Sequence, residues 1–215
     1  MRITYSIQVC NESRELYSLI NFLTQVIDSE DNIQVIVDSL HVTDKVKLVL
    51  DHFKNSITVH ERPFDNFQAN SNFHIDQATG EYVFAIDADE MPQVSLIKGI
   101  KNMIQESGAD VIWIPRINIH PGLTPEFLEK CNFNINENMW INWPDYQGRI
   151  LKNNGKVRFG VEELHTKPVG GEKVVQIHPV PALALWHIKS VEKQNCRWLD
   201  GTIQPPGQTL YDALM

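Results

Sequence analysis

Ala78-Thr79-Gly80-Glu81-Tyr82-Val83-Phe84-Ala85-Ile86-Asp87-Ala88-Asp89-Glu90 is the stretch on which the reading of this chain turns. Tyr82–Ile86 is apolar at every position. That is the pattern of a strand covered on both faces, and it belongs at the centre of a sheet. Two aspartates one residue apart follow it, and Glu90-Met91-Pro92 then reads as the opening of a helix. Paired carboxylates on a sharp turn can hold a hard divalent cation and leave positions open for phosphate oxygens. They can equally be a helix cap, with Asp89 or Glu90 stabilising a Pro92 helix through its dipole. With 13 aspartates in the chain, about one D-x-D is expected by chance. Its place in the fold therefore decides its weight.

Outward from this strand, two periods alternate. Ile3–Val9 reads as a strand, with Asn11 or Ser13 able to cap the helix in which Leu16, Leu19, Ile20, Leu23 and Ile27 recur at three and four. Ile33–Val37 is a second strand ending at Asp38-Ser39, followed by a Val42–Phe53 helix and an Ile57–His60 strand. Asn66–Ala78 is a more polar helix, and Pro92–Ser107 a helix with Gly108 just past its end. Val111–Ile119 is the fifth strand. Such alternation specifies a mostly parallel, three-layer α/β sandwich whose ligands sit outside the carboxyl ends of the strands. The polar residues there are Asn11-Glu12, Asp38-Ser39, Glu61-Arg62 and Asp87–Glu90. After Ile119 the rhythm breaks. His120–Asp145 reads as a long loop, of a length usual for a lid or binding loop. Short strands follow at Gly148–Leu151, Lys156–Phe159, Val174–Ile177 and Ala182–Ile188. Gly170-Gly171 reads as a hairpin turn between Thr166–Val169 and Glu172–Ile177, and Val191–Leu199 as a helix. We expect one domain over 1–200, with a nucleotide-binding half at 1–119, an acceptor-binding half at 120–200, and a loose tail at 201–215.

Composition narrows the function classes. The 215 residues carry 19 basic and 27 acidic side chains, a net charge of −8, and the pI is about 5.4. No basic surplus exists to release phosphate counterions, which argues against broad nucleic-acid binding. Apolar runs such as Tyr82–Ile86 and Pro181–Trp186 fall far short of the ~20 residues of a membrane span. The N-terminus enters a strand pattern without a signal-peptide core, and Cys10, Cys131 and Cys196 form no CxxC. A soluble, cytoplasmic protein with reduced thiols is expected, and Cys10 is read as a small buried hydrophobe.

The quoted stretch resembles the "A-x-G-E-(apolar)-D-x-D" signature of family 2 glycosyltransferases of the GT-A fold. Asn72 stands where that family has the asparagine of "N-x-G-I". Ile7-Gln8-Val9-Cys10-Asn11-Glu12 with Leu16 and Leu19 is similar to its opening, and Ile36-Val37-Asp38-Ser39 with Thr43-Asp44 to a reduced "V-V-D-D-x-S-x-D-x-T". Trp143–Leu151, Val161–His165 and Leu185-Trp186-His187 resemble "W-x-P-D-x-x-x-R-L-F", "V-H-E" and "L-x-H" of the bacterial lipopolysaccharide-core glucosyltransferase branch. The resemblance runs over about residues 3–199, in the family's order.

It implies a GT-A, Rossmann-like fold and transfer of a single sugar, with inversion, from a nucleotide diphosphate sugar. A UDP-sugar is favoured, and the acceptor is a glycan, a lipid-linked saccharide or another hydroxyl compound. Asn11, Glu12, Asp38 and Asn72 would line the nucleoside pocket. Asp87 would reach the ribose or the metal's water, Asp89 would ligate Mn2+ or Mg2+, and His187 would add a metal or diphosphate contact. Asp145 is the first candidate for the base, with Glu163 and Glu162 competing; Arg149 would hold phosphate or pair with a carboxylate. Two departures stand out: the second motif is reduced to Asp38-Ser39-Leu40-His41, and no Glu follows His165. Without the family, His187 reads as a core histidine, His165 as a surface one, and Asn11-Glu12 as a helix start. Trp140 and Trp143 either stack on an acceptor sugar or anchor the long loop.

Two rival classes remain in view. A nucleotidyltransferase on a related sheet needs a glycine-rich phosphate loop after the first strand, where this chain has Cys10-Asn11-Glu12-Ser13-Arg14. A non-catalytic descendant would bind a sugar or nucleotide in the same cleft without turnover.

Overall fold

The computed structural model describes residues 1–160 and 166–191. Glu162, Glu163 and His165 lie outside the described residues, as do the expected helix beyond Val191 and the tail.

The apolar Tyr82–Asp87 segment forms β4, at the middle of the sheet. β1 (Ile3–Val9), β2 (Asn32–Asp38) and β3 (Ile57–Arg62) run parallel to it in the order β3-β2-β1-β4. Beyond β4 the order continues through β7 (Ile141–Lys152), β6 (Val111–Ile119), β11 (Leu185–Ile188) and β5 (Glu90–Pro92). β7 is antiparallel to both β4 and β6, so a strand from the second half of the sequence is wedged between two from the first. β10 (Val174–Gln176) and β11 lie parallel along successive stretches of β6.

Period-two alternation sorts the two faces. Ile3, Tyr5, Ile7 and Val9 share a buried core with α1 (Ser13–Val26), α2 (Asp44–His52) and α4 (Val94–Ser107), through Leu16, Leu19, Ile20, Leu23, Val46 and Ile100. The opposite face of β1 is polar: Thr4, Ser6 and Gln8. The helix that meets it, α3 (Phe67–Gln77), is polar to match. His74 Nδ1 bonds Ser6 Oγ at 2.6 Å, Gln34 Nε2 donates to Ser6 and to the His74 carbonyl, and Asn70 donates to Gln8. A buried polar layer satisfied in this way fixes the seat of α3 where apolar contact alone would leave it loose. Gly80 has a separate necessity. A Cβ there would stand 2.6 Å from the Thr4 amide nitrogen, so only glycine lets the chain entering β4 approach β1.

Four expectations need correction. Glu90–Pro92 is a strand, antiparallel to β11, and α4 begins at Val94; Pro92 ends an edge strand, where its missing N–H costs no ladder bond. The helix-capping position before α1 is Glu12, neither Asn11 nor Ser13. The 120–145 stretch contains α5 (Pro125–Cys131), with Thr124 Oγ1 accepting from the Phe127 amide, Pro125 in the first turn and Asn132 left-handed at its end; β7 already begins at Ile141. Gly170-Gly171 joins no hairpin. β9 (Pro168–Val169) pairs with β8 (Arg158–Phe159), while the Asp110 carboxylate takes the amides of Glu172 and Lys173 and draws the following strand onto β6. Among the described residues, no helix is long and apolar enough to cross a membrane.

Candidate active site

The carboxyl ends of β1, β2 and β4 bring Asn11, Glu12, Asp38 and the Asp87–Glu90 turn to one edge of the sheet. The turn is built locally. The Ala88 amide donates to the Gln8 carbonyl of β1, and the Asp87 amide donates to Glu90 Oε2. Ala88 thus faces the core at 3% exposure, which leaves its two aspartate neighbours directed away from it.

From this turn a continuous polar ring crosses β7, β6 and β11. Arg149 Nη2 of β7 donates to Asp87 Oδ2 at 2.5 Å and to Glu90 Oε1 at 2.6 Å. Glu90 Oε1 also accepts from Arg116 Nη1 of β6 at 2.9 Å. Arg116 grips Asp145 Oδ2 with Nε and Nη2, at 2.9 and 2.7 Å. Asn118 Nδ2 donates to the same oxygen at 2.8 Å, and Gln147 donates to Asp145 Oδ1 at 2.9 Å. Asn118 Oδ1 meets His187 Nδ1 at 2.8 Å, and His187 Nε2 stands 3.5 Å from Asp89 Oδ2. Four carboxylates, those of Asp87, Asp89, Glu90 and Asp145, are thus gathered around the guanidinium groups of Arg116 and Arg149.

The ring fixes which atoms donate and which accept. Asp145 can only accept, so the Asn118 amide must turn its NH2 to Asp145 and its oxygen to His187. His187 Nδ1 then donates to Asn118, and Nε2 is the ring nitrogen turned towards Asp89, an imidazole held by an outer partner and aimed to meet a metal through Nε2. The 3.5 Å gap is close to the roughly 3.0–3.4 Å that separates neighbouring ligand atoms around a divalent ion at ~2.1 Å. The pair therefore fits a cation. Arg149 Nε, His120 Nδ1 and Trp186 Nε1 are buried with no hydrogen-bond partner among the described residues, consistent with a polar ligand that completes the site.

Charge states follow from competition between burial and neighbours. Burial alone would raise the Asp87 carboxyl, but the Arg149 charge and hydrogen bond outweigh it and hold Asp87 below the ordinary range. At Asp145, burial is likewise outweighed by Arg116 and Asn118. Burial would lower Arg149, yet Asp87 and Glu90 keep it firmly cationic. His120 is pushed down to about 4, chiefly by burial and then by His187, so it is neutral near pH 7.

Other residues expected at the site are occupied elsewhere. Glu12 Oε2 folds back onto the amides of Cys10 and Asn11. Asn72, on α3, clamps Phe159 through both backbone groups, at 3.0 and 2.9 Å, and so anchors β8 just ahead of residues 161–165. Arg149 is engaged by carboxylates, the second of the two roles open to it. Trp140 packs against Trp143 and Trp186, with ring centroids 5.2 and 6.2 Å away. Sequence reasoning missed Glu90 as a site carboxylate, and also Arg116, Asn118 and His120. The first carried the signal of standing next to D-x-D; the others alternate along β6 and just beyond it, a polar rhythm in an otherwise apolar strand.

The profile of glycosyl transferase family 2 matches residues 6–162. No curated protein matches the chain in sequence. In three dimensions it is similar to S. aureus TarS 1-349, with a TM-score of 0.61 and 16% identity over 87% of this chain and 60% of that one. It is likewise similar to the same fragment in complex with UDP-GlcNAc, at TM-score 0.61 and 14% identity over 88% and 59%. The complex with UDP gives 0.60 and 17% over 89% and 62%. At such identities the likeness is one of fold, and the chain spans about three-fifths of the length of these structures. The matched profile runs from within β1 to just past β8 and takes in the D-x-D turn, Asp145 and Arg149, and on that match the chain belongs to glycosyl transferase family 2.

Proposed function

We propose that this glycosyltransferase is metal-dependent and moves one sugar from a nucleotide diphosphate sugar to an acceptor hydroxyl, with inversion at the anomeric carbon. The closed ring from Asp87 to Asp89, which gathers four carboxylates at the strand ends and sets Asp89 beside His187, carries the reading. Asp89 and His187 would hold the cation, and an imidazole ligand suits Mn2+ better than Mg2+. When bound, the ion neutralises charge developing on the departing nucleoside diphosphate. Asn11 and the unshared oxygen of Asp87 would reach ribose and base, while Asp38 is tied to the Leu40 and Phe64 amides and to His41. The lean to uridine rests on the motif resemblance and agrees with the UDP-GlcNAc complex of TarS.

Inversion needs a base for the acceptor hydroxyl proton as its oxygen attacks the anomeric carbon. Asp145 is the first candidate from the motif, but four hydrogen bonds, two of them from the Arg116 guanidinium, lower its basicity. We therefore give Asp145 the task of orienting Asn118 and His187, and give the proton to Glu163. The half-buried tryptophans 140, 143 and 186 offer faces on which an acceptor sugar would stack. The motifs after residue 143 favour the lipopolysaccharide-core glucosyltransferase-like branch; we further assign the donor chiefly to 1–119, the acceptor chiefly to 120–200, and the protein to the cytoplasm.

The test is release of nucleoside diphosphate from a panel of UDP-, GDP-, CDP-, ADP- and dTDP-hexoses, each with Mn2+, Mg2+ or EDTA. Metal-dependent release from one donor class supports the reading and identifies the base. Nucleotide binding without any turnover would put the degenerate binding module in its place.

A further inference from the structure

The reduced second motif, Asp38-Ser39-Leu40-His41, lies outside the ring described above and takes on chemistry of its own. Cys10 Sγ at the end of β1, an Asp38 carboxylate oxygen at the end of β2 and an imidazole nitrogen of His41 all lie within 4.8 Å of one another. His41 Nδ1 and Asp38 Oδ2 are 2.6 Å apart, and the Cys10 thiol donates to the His41 carbonyl at 3.6 Å. From these positions we propose that Cys10, Asp38 and His41 form a second cation site, selective for a borderline-soft divalent metal of the Zn2+ class.

The donor set selects the metal. Thiolate, imidazole and carboxylate together suit Zn2+ and are poor ligands for Mg2+ or Ca2+. Three such ligands leave one position of a tetrahedron open, for water or a fourth group. Around an ion at ~2.0–2.3 Å the three atoms would stand roughly 3.3–3.8 Å from one another, so the His41 ring, now 2.6 Å from Asp38, must swing back to admit it. That movement is available to the His41 side chain, which is 35% exposed. The carboxylate is already oriented: Asp38 Oδ1 accepts from the amides of Leu40 and Phe64 at 3.1 and 3.2 Å, which keeps Oδ2 on the His41 side. The loop backbone is also held, since the amides of His41 and Val42 both donate to the Asp38 carbonyl and Ser39 donates to that of Arg62. Outer partners that fix ligand orientation in this way are what a metal site needs beyond its ligands. On binding, Cys10 ligates as thiolate and its proton passes to the buffer.

Co2+ titration of the full chain under reducing, anaerobic conditions tests the site. Co2+ bound there gives a thiolate-to-cobalt charge-transfer band in the near ultraviolet together with intense tetrahedral d–d bands, and one equivalent of Zn2+ bleaches both. Cys10→Ser abolishes the charge-transfer band, and His41→Gln weakens Co2+ binding at least tenfold. Circular dichroism of both variants verifies that they remain folded. Ligand-field bands without a charge-transfer band would overturn the proposal, because the metal then sits at Asp89 and His187 or elsewhere. A charge-transfer band that survives Cys10→Ser would overturn it too, by assigning the thiolate to Cys131 or Cys196.

Discussion

Replacing Arg149 by methionine keeps the length of the side chain and removes its charge. Arg149 is 15% exposed and sits on Asp87 at 2.5 Å and on Glu90, whose side chain is fully buried, at 2.6 Å. Without it Glu90 retains Arg116, while Asp87 has no other cation within ion-pair distance among the described residues. Breaking a buried pair by removing one partner costs about 3–5 kcal/mol, because a charge is left buried without compensation. At this chain length each kcal/mol lowers the melting temperature by about 2–4 °C. The expected drop at pH 7 is therefore roughly 6–20 °C by circular dichroism. The sign of the pH dependence is also fixed. In the native chain the folded Asp87 pKa lies below its unfolded value; that contribution is present above the unfolded pKa and is lost as pH falls through the folded one. In the variant burial acts unopposed by Arg149 and raises the folded pKa. Its penalty is then full above that raised value and disappears as pH falls below the unfolded one, near ~4. The gap between the two proteins must narrow from pH 7 to pH 4. A gap below ~1 kcal/mol at pH 7, the worth of an exposed ion pair, or one that fails to narrow, refutes the reasoning.

Three further outcomes are expected. Acid should weaken the native fold through His74 and His120, both pushed down to about 4, mainly by burial. Their stability contribution is present above the unfolded pKa near ~6.5 and is lost as pH falls towards 4, by up to roughly 3 kcal/mol each; His74→Gln should flatten this slope in thermal melts. Gly80→Ala should cost about 1–3 kcal/mol, read as a lower melting temperature, because its Cβ meets the Thr4 amide nitrogen. Glu163→Gln should remove turnover and leave donor affinity within twofold, whereas Asp145→Asn should weaken metal affinity through Asn118 and His187; isothermal titration separates the two.

The first half of the fold is legible because each of its signals is local. Strand β4 is apolar throughout, α1 repeats its leucines at helical spacing, and each parallel strand is returned by a helix. The second half is harder because its elements are defined by distant partners. Pro92 reads as a helix start until β11, more than ninety residues later, pairs with it. Gly170-Gly171 reads as a hairpin until the Asp110 carboxylate captures the next two amides. The short α5 carried its signals openly, in Thr124, Pro125 and Asn132, but they were overshadowed by the asparagines around them. Asp89 and His187 stand out in the sequence only through motif resemblance, and the fold sets them 3.5 Å apart beside the antiparallel β5–β11 pair. Arg116 and Asn118 have no motif of their own. Their place in the ring exists only because β6 lies between β7 and β11, an order that no local pattern encodes. Asn72 shows the reverse case: its position in a motif suggested the nucleotide pocket, and its two bonds to Phe159 hold β8 instead.

The most direct test of the central claim is calorimetric titration of UDP into the intact chain and into Asp89→Asn, each with Mn2+ and with EDTA. The account predicts that UDP binds the native chain only when Mn2+ is present. It also predicts that Asp89→Asn binds at least tenfold more weakly while keeping its ligand-free melting temperature. UDP affinity that is equal in Mn2+ and EDTA, or untouched by Asp89→Asn, would contradict it.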